Sequence, residues 1–305
     1  MAGTTARSRA LAAADDLLAR ADSCGAVVLH SGHADYPPRL AELHDPPPCL
    51  YCLGTLGVLR APAVAIVGTR RATPYGERVT REVAGTLARA GMVIVSGMAR
   101  GIDAAAHRAA LEVGGTTIAV LGTGVDVAYP TAHRQLHSEI ARRGLLISEE
   151  QPGGRATPAS FPKRNRIIAA LASATIIVEA PVKSGALITA GHALDLGRSV
   201  AAVPGPIYSL QSAGTNELIR DGAIVIACVA DALAMVGVTA PATSDPELRT
   251  PAERRIWEAL SAGPTDVDNL AALTTLPARE CLAAVTTLEL RGAVVCELTG
   301  EVRRG

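Results

Sequence analysis

A repeating strand–helix pattern over residues 63–227 is the feature that most constrains the fold of this 305-residue chain. Short apolar runs, such as Val64–Val67 and Leu145–Ser148, alternate with longer amphipathic segments, several of which stop at a glycine. Strands and helices that alternate at about 25-residue spacing are typical of βαβ units, which build a parallel sheet with right-handed crossovers. The pattern therefore predicts an α/β fold, a Rossmann-like, doubly wound, mostly parallel sheet over about residues 61–236.

The individual elements follow the same alternation. We predict strands over residues 64–67, 92–95, 116–121, 145–148, 175–179, 199–203 and 223–227. We predict helices over residues 74–87, 102–113, 131–143, 162–172, 186–196 and 215–220. The first helix has clear boundary signals, because Thr73 is a typical N-cap, Pro74 suits the first helical position and Gly91 suits the position after the last turn.

The N-terminal segment, residues 1–60, departs from this pattern. It contains a predicted helix over residues 10–21, a candidate strand over 26–30 and a proline-rich stretch over 36–54. Prolines exclude regular structure across much of that stretch. Its leucines and Tyr51 need burial, so we expect an ordered lead-in that packs on the sheet domain.

The C-terminal segment has another pattern again. Residues 237–250 have the composition of a linker, and residues 251–305 are predicted to form a small winged-helix-like domain. Its predicted elements are three helices, over 251–261, 266–273 and 277–291, and a hairpin over 293–303. Thr265 is the expected cap of the second helix. Since the third helix is not strongly basic, protein contact is a better expectation for this domain than duplex reading.

Composition excludes several classes of protein. Aromatic residues make up 2% of the chain, so its core must be built from Ala, Val, Leu and Ile. A formal net charge of zero argues against a nonspecific duplex binder coated with Lys and Arg. Six scattered cysteines fit a reducing cytoplasm, and Cys49 and Cys52 lack a second pair at zinc spacing, so we predict no metal site. No apolar run approaches the roughly 18 residues of a membrane span.

The basic stretch Phe161–Arg166, which reads FPKRNR, is the most unusual local feature. Phe161 is the only phenylalanine of the chain. Residues 151–166 contain four Lys or Arg residues and no Asp or Glu. A flat ring beside cations and an amide suits unstacked bases and phosphates. Alternatively, Phe161 staples the start of a helix and the cations are solvated. The hexapeptide alone supports both interpretations about equally.

Helical periodicity separates the roles within the basic stretch. Arg164 shares one helix face with the apolar residues Ile168 and Leu171, which should pack on the sheet. We therefore expect Arg164 to point over the strand ends, with the other cations of the stretch flanking it. Phe161 precedes the predicted helix and should be free to stack on a base.

The loops after the predicted strands combine glycines with Ser, Thr or Arg. In an open parallel sheet these loops meet at the ligand-binding edge, where glycines allow close approach and helix N-termini attract anions. No G-x-G-x-x-G follows the first strand and no P-loop motif occurs, which disfavours a dinucleotide enzyme and an NTPase. A mononucleotide or a nucleic-acid backbone remains as the expected ligand.

Few side chains suggest catalysis. Glu179, at the end of a predicted strand, suits a general base, although a partner for an arginine is at least as good an interpretation. Asp103 is interpreted as a first-turn carboxylate that the helix dipole favours. Ser96 and Ser184 lack a nearby base and suit phosphate donors, and Tyr129 with its following proline suits a structural turn. We predict no catalytic residue.

Ten runs of sequence extend over about residues 36–226. They are YPPRL, DPPPCLYCLG, AIVGTR, SGMARGIDAAAH, TTIAVLGTGVDVAYP, LLISE, FPKRNRIIAALA, IIVEAPVKSGALITA, AAVPGPI and GTNELIRDGA. In content and order they resemble the DNA-processing protein A family (DprA, also called Smf). The resemblance implies a cytoplasmic bacterial protein that binds and protects single-stranded DNA. It also implies homodimers that load the RecA recombinase during natural transformation, without catalysing a reaction or using a cofactor.

The resemblance also implies a DNA pocket at the strand ends. With Arg166 added from the basic stretch, the expected DNA-binding residues are Arg70, Ser96, Gly97, Gly101, Phe161, Lys163, Arg164, Asn165, Arg166, Ser184 and Gly185. A winged-helix domain occurs in many members and fits residues 250–305. Many members also carry a further N-terminal domain, for which the residues before Tyr36 leave too little room.

Two other functions compete with this interpretation. The first is a nucleoside-monophosphate phosphoribohydrolase-like enzyme on a similar sheet. That family typically carries PGG-x-GT-x-x-E, whereas this chain reads PVKSGALIT, without the glutamate. The second is an assembly scaffold for recombination proteins, for which DNA contact is incidental.

Overall fold

The computed structural model describes residues 14–238, 248–297 and 300–304. They fall into two compact units, Met1–Thr239 and Ala240–Gly305, called here the N-terminal and C-terminal units. Residues 14–23 form helix α1, whereas the first part of the helix predicted over 10–21 lies outside the described residues. Most of the predicted linker also lies outside them.

A mostly parallel sheet forms the centre of the N-terminal unit, as predicted. In the described residues its strands are β1 (Val27–His30), β2 (Cys49–Gly54), β3 (Ala63–Val67), β4 (Val93–Ser96), β5 (Thr117–Val120), β6 (Leu145–Ser148), β7 (Ala174–Ile177), β8 (Ser199–Ala202) and β9 (Ile224–Val225). Their spatial order is β1-β2-β6-β5-β4-β3-β7-β8-β9. Strands β3 to β9 pair in parallel with one another, whereas β2 pairs antiparallel with β6 and with β1.

Helices connect the parallel strands, and one further helix follows β9. They are α2 (Pro74–Arg89), α3 (Ile102–Glu112), α4 (Arg134–Arg143), α5 (Ser160–Leu171), α6 (Gly185–Asp195), α7 (Ala213–Arg220) and α8 (Val229–Met235). The Thr73 hydroxyl caps α2 by accepting from the Gly76 N–H, and Pro74 follows it, as predicted. Helix α5 starts two residues earlier than predicted, so Phe161 lies in its first turn rather than before it.

The strand residues pack alternately into two core layers. Ile118 and Val120 of β5 share one hydrophobic cluster with residues of α5 and α6, whereas Ala119 lies in a second cluster with residues of α3 and α4. Every residue of β3 to β7 is buried, as expected for strands covered by helices on both faces.

The proline-rich lead-in contributes a strand to the sheet. We predicted a largely irregular segment from its prolines. Instead, residues 49–54 form β2, in which Tyr51 lies opposite Ser148 of β6. The prolines precede this strand, where the Tyr36 hydroxyl donates to the Pro47 carbonyl (2.7 Å). Leu40 and Leu50 are fully buried. The expected packing against the sheet is thus confirmed, and the sheet extends further than predicted.

The order of the strands creates a switch point at β3. From β3 the chain adds β4, β5 and β6 on one side of the sheet, and it then returns to form β7 and β8 on the other side. The carboxyl ends of β3 and β7 therefore flank a crevice, which is the usual ligand position in open α/β sheets.

The C-terminal unit has the winged-helix order of elements. Its described elements are α9 (Pro251–Ala259), β10 (Thr265–Asp266), α10 (Val267–Thr274), α11 (Ala278–Leu290), β11 (Val294–Cys296) and β12 (Glu301–Arg304). Ile256, Leu270 and Leu288 form a fully buried centre between the helices. Asp266, not Thr265 as predicted, caps α10, because its carboxylate accepts from the Asn269 N–H (2.8 Å) while Thr265 pairs with β12.

Several features bear on compartment and ligand class. All six cysteines are free, and burial raises the pKa of Cys52 to about 12, so this thiol packs as a small apolar residue. The described residues contain no cluster of three or more His, Cys, Asp or Glu that could hold a metal. Of the helices in the described ranges, none is long and apolar enough to cross a membrane.

Candidate nucleic-acid interface

A groove of about 680 Å³ opens at the switch point beside β3 and β7, and we call it the main groove. The loop after β3 and the starts of α5 and α6 provide most of its walls. Of the predicted site residues, those that line it are Arg70, Phe161, Arg164, Asn165, Ser184 and Gly185. The expected convergence of loops at this edge of the sheet is therefore present.

A ring cluster lies at one wall of the main groove. The Arg70 guanidinium lies over the Phe161 ring, 5.1 Å from its centroid, and the Tyr129 ring lies 5.6 Å from the same centroid. Arg70 is exposed and Tyr129 is 46% exposed. The cluster thus presents aromatic surface and a positive charge to the same solvent space, which suits the stacking of a base beside a phosphate.

The start of α6 forms the opposite part of the lining. The Ser184 hydroxyl accepts from the Ala186 N–H (3.2 Å), and the Asn165 amide donates to the Gly185 carbonyl (3.1 Å). The position of a Cβ on Gly185 is open space, so a ligand has room to approach this backbone. A helix N-terminus carries partial positive charge, which favours an anion there.

Arg164 lies under the main groove rather than over it. The residue is 6% exposed, and its guanidinium donates to the Gly97 carbonyl (2.6 Å) and to the Val120 carbonyl. A Cβ on Gly97 would come within 2.6 Å of this guanidinium. Arg164 thus points to the strand ends, as expected, but it is buried there rather than open to a ligand, because the carbonyls at the ends of β4 and β5 take its hydrogen bonds. The absence of a side chain at Gly97 therefore leaves space for Arg164.

The buried charge of Arg164 acts on two neighbours. Burial raises the pKa of the Asp103 carboxyl and lowers the pKa of Arg164 to about 10, and each group's charge opposes the shift of the other. Burial and the charge of Arg164 also lower the pKa of His107 to about 3. His107 is therefore neutral, and its Nδ1 lies 2.6 Å from the Thr117 hydroxyl. Asp103 lies in the first turn of α3, as predicted.

The other two cations of the basic stretch do not line the main groove. Arg166 is 8% exposed and donates to Glu149 at the end of β6 (2.7 Å), with Asp45 at 3.8 Å. The Lys163 side chain is 53% exposed, and its Nζ lies 3.8 Å from Glu149. The expectation that both flank Arg164 at the ligand is wrong for Arg166, because an acidic partner holds it inside the fold.

Three further predicted or considered residues have structural contacts. The buried Ser96 hydroxyl donates to the Ile66 carbonyl (2.6 Å), so it is not the expected phosphate donor. Gly101 has a φ of 75°, and a Cβ there would clash with the Thr69 carbonyl. The two carboxylate oxygens of Glu179 accept from the Thr73 N–H (2.9 Å) and the Thr73 hydroxyl (2.6 Å). Glu179 thus holds the start of α2 and, within the described part of the chain, forms no ion pair with an arginine.

Sequence reasoning missed three exposed side chains at this edge. Arg71 follows β3, Arg100 follows β4, and Tyr129 lies in the loop after β5, where it was interpreted only as part of a turn. The sequence carried one signal for Tyr129, since an aromatic residue after a strand is notable in a chain with 2% aromatics.

The fold and the main groove define a class: Rossmann-like α/β proteins with a phosphate-compatible groove at the carboxyl edge of the sheet and a C-terminal winged-helix domain. The chain belongs to the DNA recombination-mediator protein A family, whose model matches residues 27–237. A second model, the DprA winged helix domain, matches residues 240–300.

Relatives and solved structures agree with this family. Protein Smf of Synechocystis sp. is 38% identical, over 85% of this chain and 75% of its own length. The X-ray structure of DNA processing protein A from Streptococcus pneumoniae is 42% identical, with a TM-score of 0.66 over 68% of this chain and 74% of that one. DNA processing protein A from Helicobacter pylori is 37% identical, with a TM-score of 0.62 over 67% of this chain and 92% of that one. The Helicobacter structure was solved for its single-stranded DNA binding mode.

Proposed function

We propose that this protein binds single-stranded DNA in the main groove. The observation that carries the proposal is the cluster of Arg70, Phe161 and Tyr129, which offers an exposed cation and aromatic faces at the switch point of the sheet. Unstacked bases have free π-faces for such rings, whereas the bases of a duplex do not. A single strand therefore fits this site better than a duplex.

The bases and phosphates of a DNA strand each have a matching group in the main groove. A base stacks on Phe161, a phosphate contacts Arg70, and a second phosphate lies at the N-terminus of α6 beside Ser184 and Gly185. Asn165 and Arg164 hold these parts in position from beneath. Lys163 contributes charge at the rim. Four other residues contribute indirectly, because they stabilise the elements that carry the site: Arg166, Ser96, Gly97 and Gly101.

The family membership supports a wider proposal. We infer that the protein is cytoplasmic, protects incoming single strands and loads the RecA recombinase onto them as a homodimer, without catalysing a reaction. Six free cysteines fit a reducing compartment. A recombinase-loading assay would separate this role from that of a scaffold: a variant that no longer binds DNA should also lose loading.

The competing phosphoribohydrolase-like function has little support in the groove. Such chemistry needs a free carboxylate near the ligand. Both oxygens of Glu179 are engaged by Thr73, and Asp103, which lines the main groove, is buried beside the opposite charge of Arg164. Release of free base from a panel of nucleoside monophosphates would contradict this conclusion.

Fluorescence anisotropy with a labelled oligo(dT) and a duplex of the same length tests the DNA proposal. We expect tighter binding of the single strand and a steep loss with salt, because bound phosphates release counterions. Arg70→Ala should lower the salt slope by about 0.7, the value for one phosphate of a single strand. The matched control is Arg89→Ala, an exposed arginine at the far end of α2. Anisotropy that stays flat up to micromolar protein would refute the proposal.

A further inference from the structure

A second pocket, of about 380 Å³, shares the ring cluster with the main groove. Arg70, Tyr129 and Phe161 line both, and beyond them the second pocket extends to Arg71 and Arg100. The ring cluster therefore forms a partition between two adjoining spaces.

The lining of the second pocket has one sign of charge. Among the described residues it includes the arginines at 70, 71, 100 and 164 and no Asp or Glu. Arg71 and Arg100 are exposed, and in the part of the chain that the structure describes neither side chain makes a hydrogen bond like those of Arg164. Exposed arginines of one sign in a concave site favour an anion, and the planar guanidinium suits a phosphate.

The partition also has a specific contact on the side of β5. A Cβ on Gly122 would lie 3.3 Å from the Phe161 ring, so the ring rests directly against this backbone. The apolar edge of the pocket continues through Leu121 and Pro130. A base entering here meets Phe161 and Tyr129 on one side and arginines on the other, a combination that fits a nucleotide better than a free inorganic anion.

We propose that this pocket is a second nucleotide subsite, which binds the phosphate and base of a neighbouring nucleotide of the same strand. The inference rests on the proposed function of the main groove. Because the two spaces share the ring cluster, a single strand occupies both by stepping across Phe161. Arg71 and Arg100 contact the phosphate, and Tyr129 contacts the base.

The test compares the wild type with Arg71→Ala/Arg100→Ala and with Arg89→Ala as the matched control, in anisotropy titrations of oligo(dT) over a range of salt. We expect the double variant to bind about tenfold or more weakly and to lose about 0.7 in salt slope, the value for the one phosphate that both arginines contact. Thermal unfolding should be unchanged, since both side chains are exposed.

A second arm uses competition by thymidine monophosphate and by the dinucleotide pTpT. Wild type should prefer pTpT clearly, and the double variant should lose that preference. If the wild type binds oligo(dT) but the double variant keeps its affinity, slope and preference, the subsite is refuted while the main proposal stands. If the wild type binds no single strand, both proposals are refuted.

Discussion

The basic stretch of α5 and the loops after β3 and β4 are both rich in arginine, but the fold uses them in opposite ways. Arg164 and Arg166 of α5 are buried and take backbone carbonyls or a carboxylate as partners. Arg70, Arg71 and Arg100 of the loops are exposed at the groove edge. A dense run of cations in the sequence is thus mainly structural, whereas single arginines beside glycines form the ligand surface.

The difference has a physical cause. The carbonyl of Gly97, directly after β4, and that of Val120, the last residue of β5, accept from Arg164 in the buried interior. An unpaired buried carbonyl costs free energy, so a donor at this place stabilises the fold. No comparable demand falls on the loop arginines. The hydrogen-bond partners of a cation therefore distinguish structural cations from ligand-binding cations better than the density of charge in the sequence does.

The largest effect is expected from Arg164→Met. Removing the guanidinium leaves Asp103 buried without its main opposing charge and leaves two carbonyls without their donor. We expect a loss of about 3–5 kcal/mol in the free energy of unfolding of the N-terminal unit, measured by far-UV circular dichroism in urea. Arg70→Met should change it by less than about 0.5 kcal/mol.

An internal control comes from Trp257, the only tryptophan, which lies in the C-terminal unit. Its fluorescence transition should stay at the same urea concentration in Arg164→Met. Adding Asp103→Asn should restore part of the lost stability, because it removes the unpaired charge. Equal free energies of unfolding for Arg164→Met and Arg70→Met would contradict the difference between the structural arginines of α5 and the exposed arginines of the loops.

The next effect concerns acid stability. The pKa of His107 is about 3 in the folded protein against an ordinary value of 6.5, so the unfolded chain binds more protons between these values. Stability from this group is present above pH 6.5 and is lost as the pH falls. The raised pKa of Asp103 acts in the opposite sense and offsets part of the loss.

His107→Gln should remove the histidine contribution. We expect the loss of stability between pH 7 and pH 5 to be smaller than in the wild type by about 2 kcal/mol, from urea unfolding at each pH. The same pH dependence in wild type and His107→Gln would show that His107 is not held neutral.

Periodicity predicted much of this molecule, and long-range partners account for the rest. The apolar runs located β3 to β8 to within two residues at either end, and the i, i+4, i+7 pattern correctly placed Arg164 on the face of Ile168. Arg164 is buried because it donates to carbonyls 67 and 44 residues away in the sequence. A local sequence pattern contains no information about such distant partners. The partner of Arg166 is likewise 17 residues distant, at the end of β6.

Phe161→Ala should produce an intermediate effect, on binding rather than folding. Loss of a stacking ring costs about 1–3 kcal/mol, so we expect single-strand affinity to fall roughly fivefold to 150-fold in anisotropy titrations. Phe161→Tyr keeps the ring and should bind nearly as the wild type does. If Phe161→Ala instead loses stability and keeps its affinity, the ring staples the helix start and the exposed ligand surface lies in the loop arginines alone.

The smallest effect is expected from Lys163→Gln, which tests whether any cation of the basic stretch still serves the ligand. Its side chain is 53% exposed and lies outside the main-groove lining, so stability should change by less than about 0.5 kcal/mol. If Lys163 meets the passing DNA strand, its replacement should lower the salt slope by up to about 0.7. Arg166→Gln is the matched comparison: it breaks the pair with Glu149, so it should lower stability and leave the slope unchanged. A larger slope change in Arg166→Gln than in Lys163→Gln would overturn this division, because a cation paired inside the fold has no free charge for a phosphate.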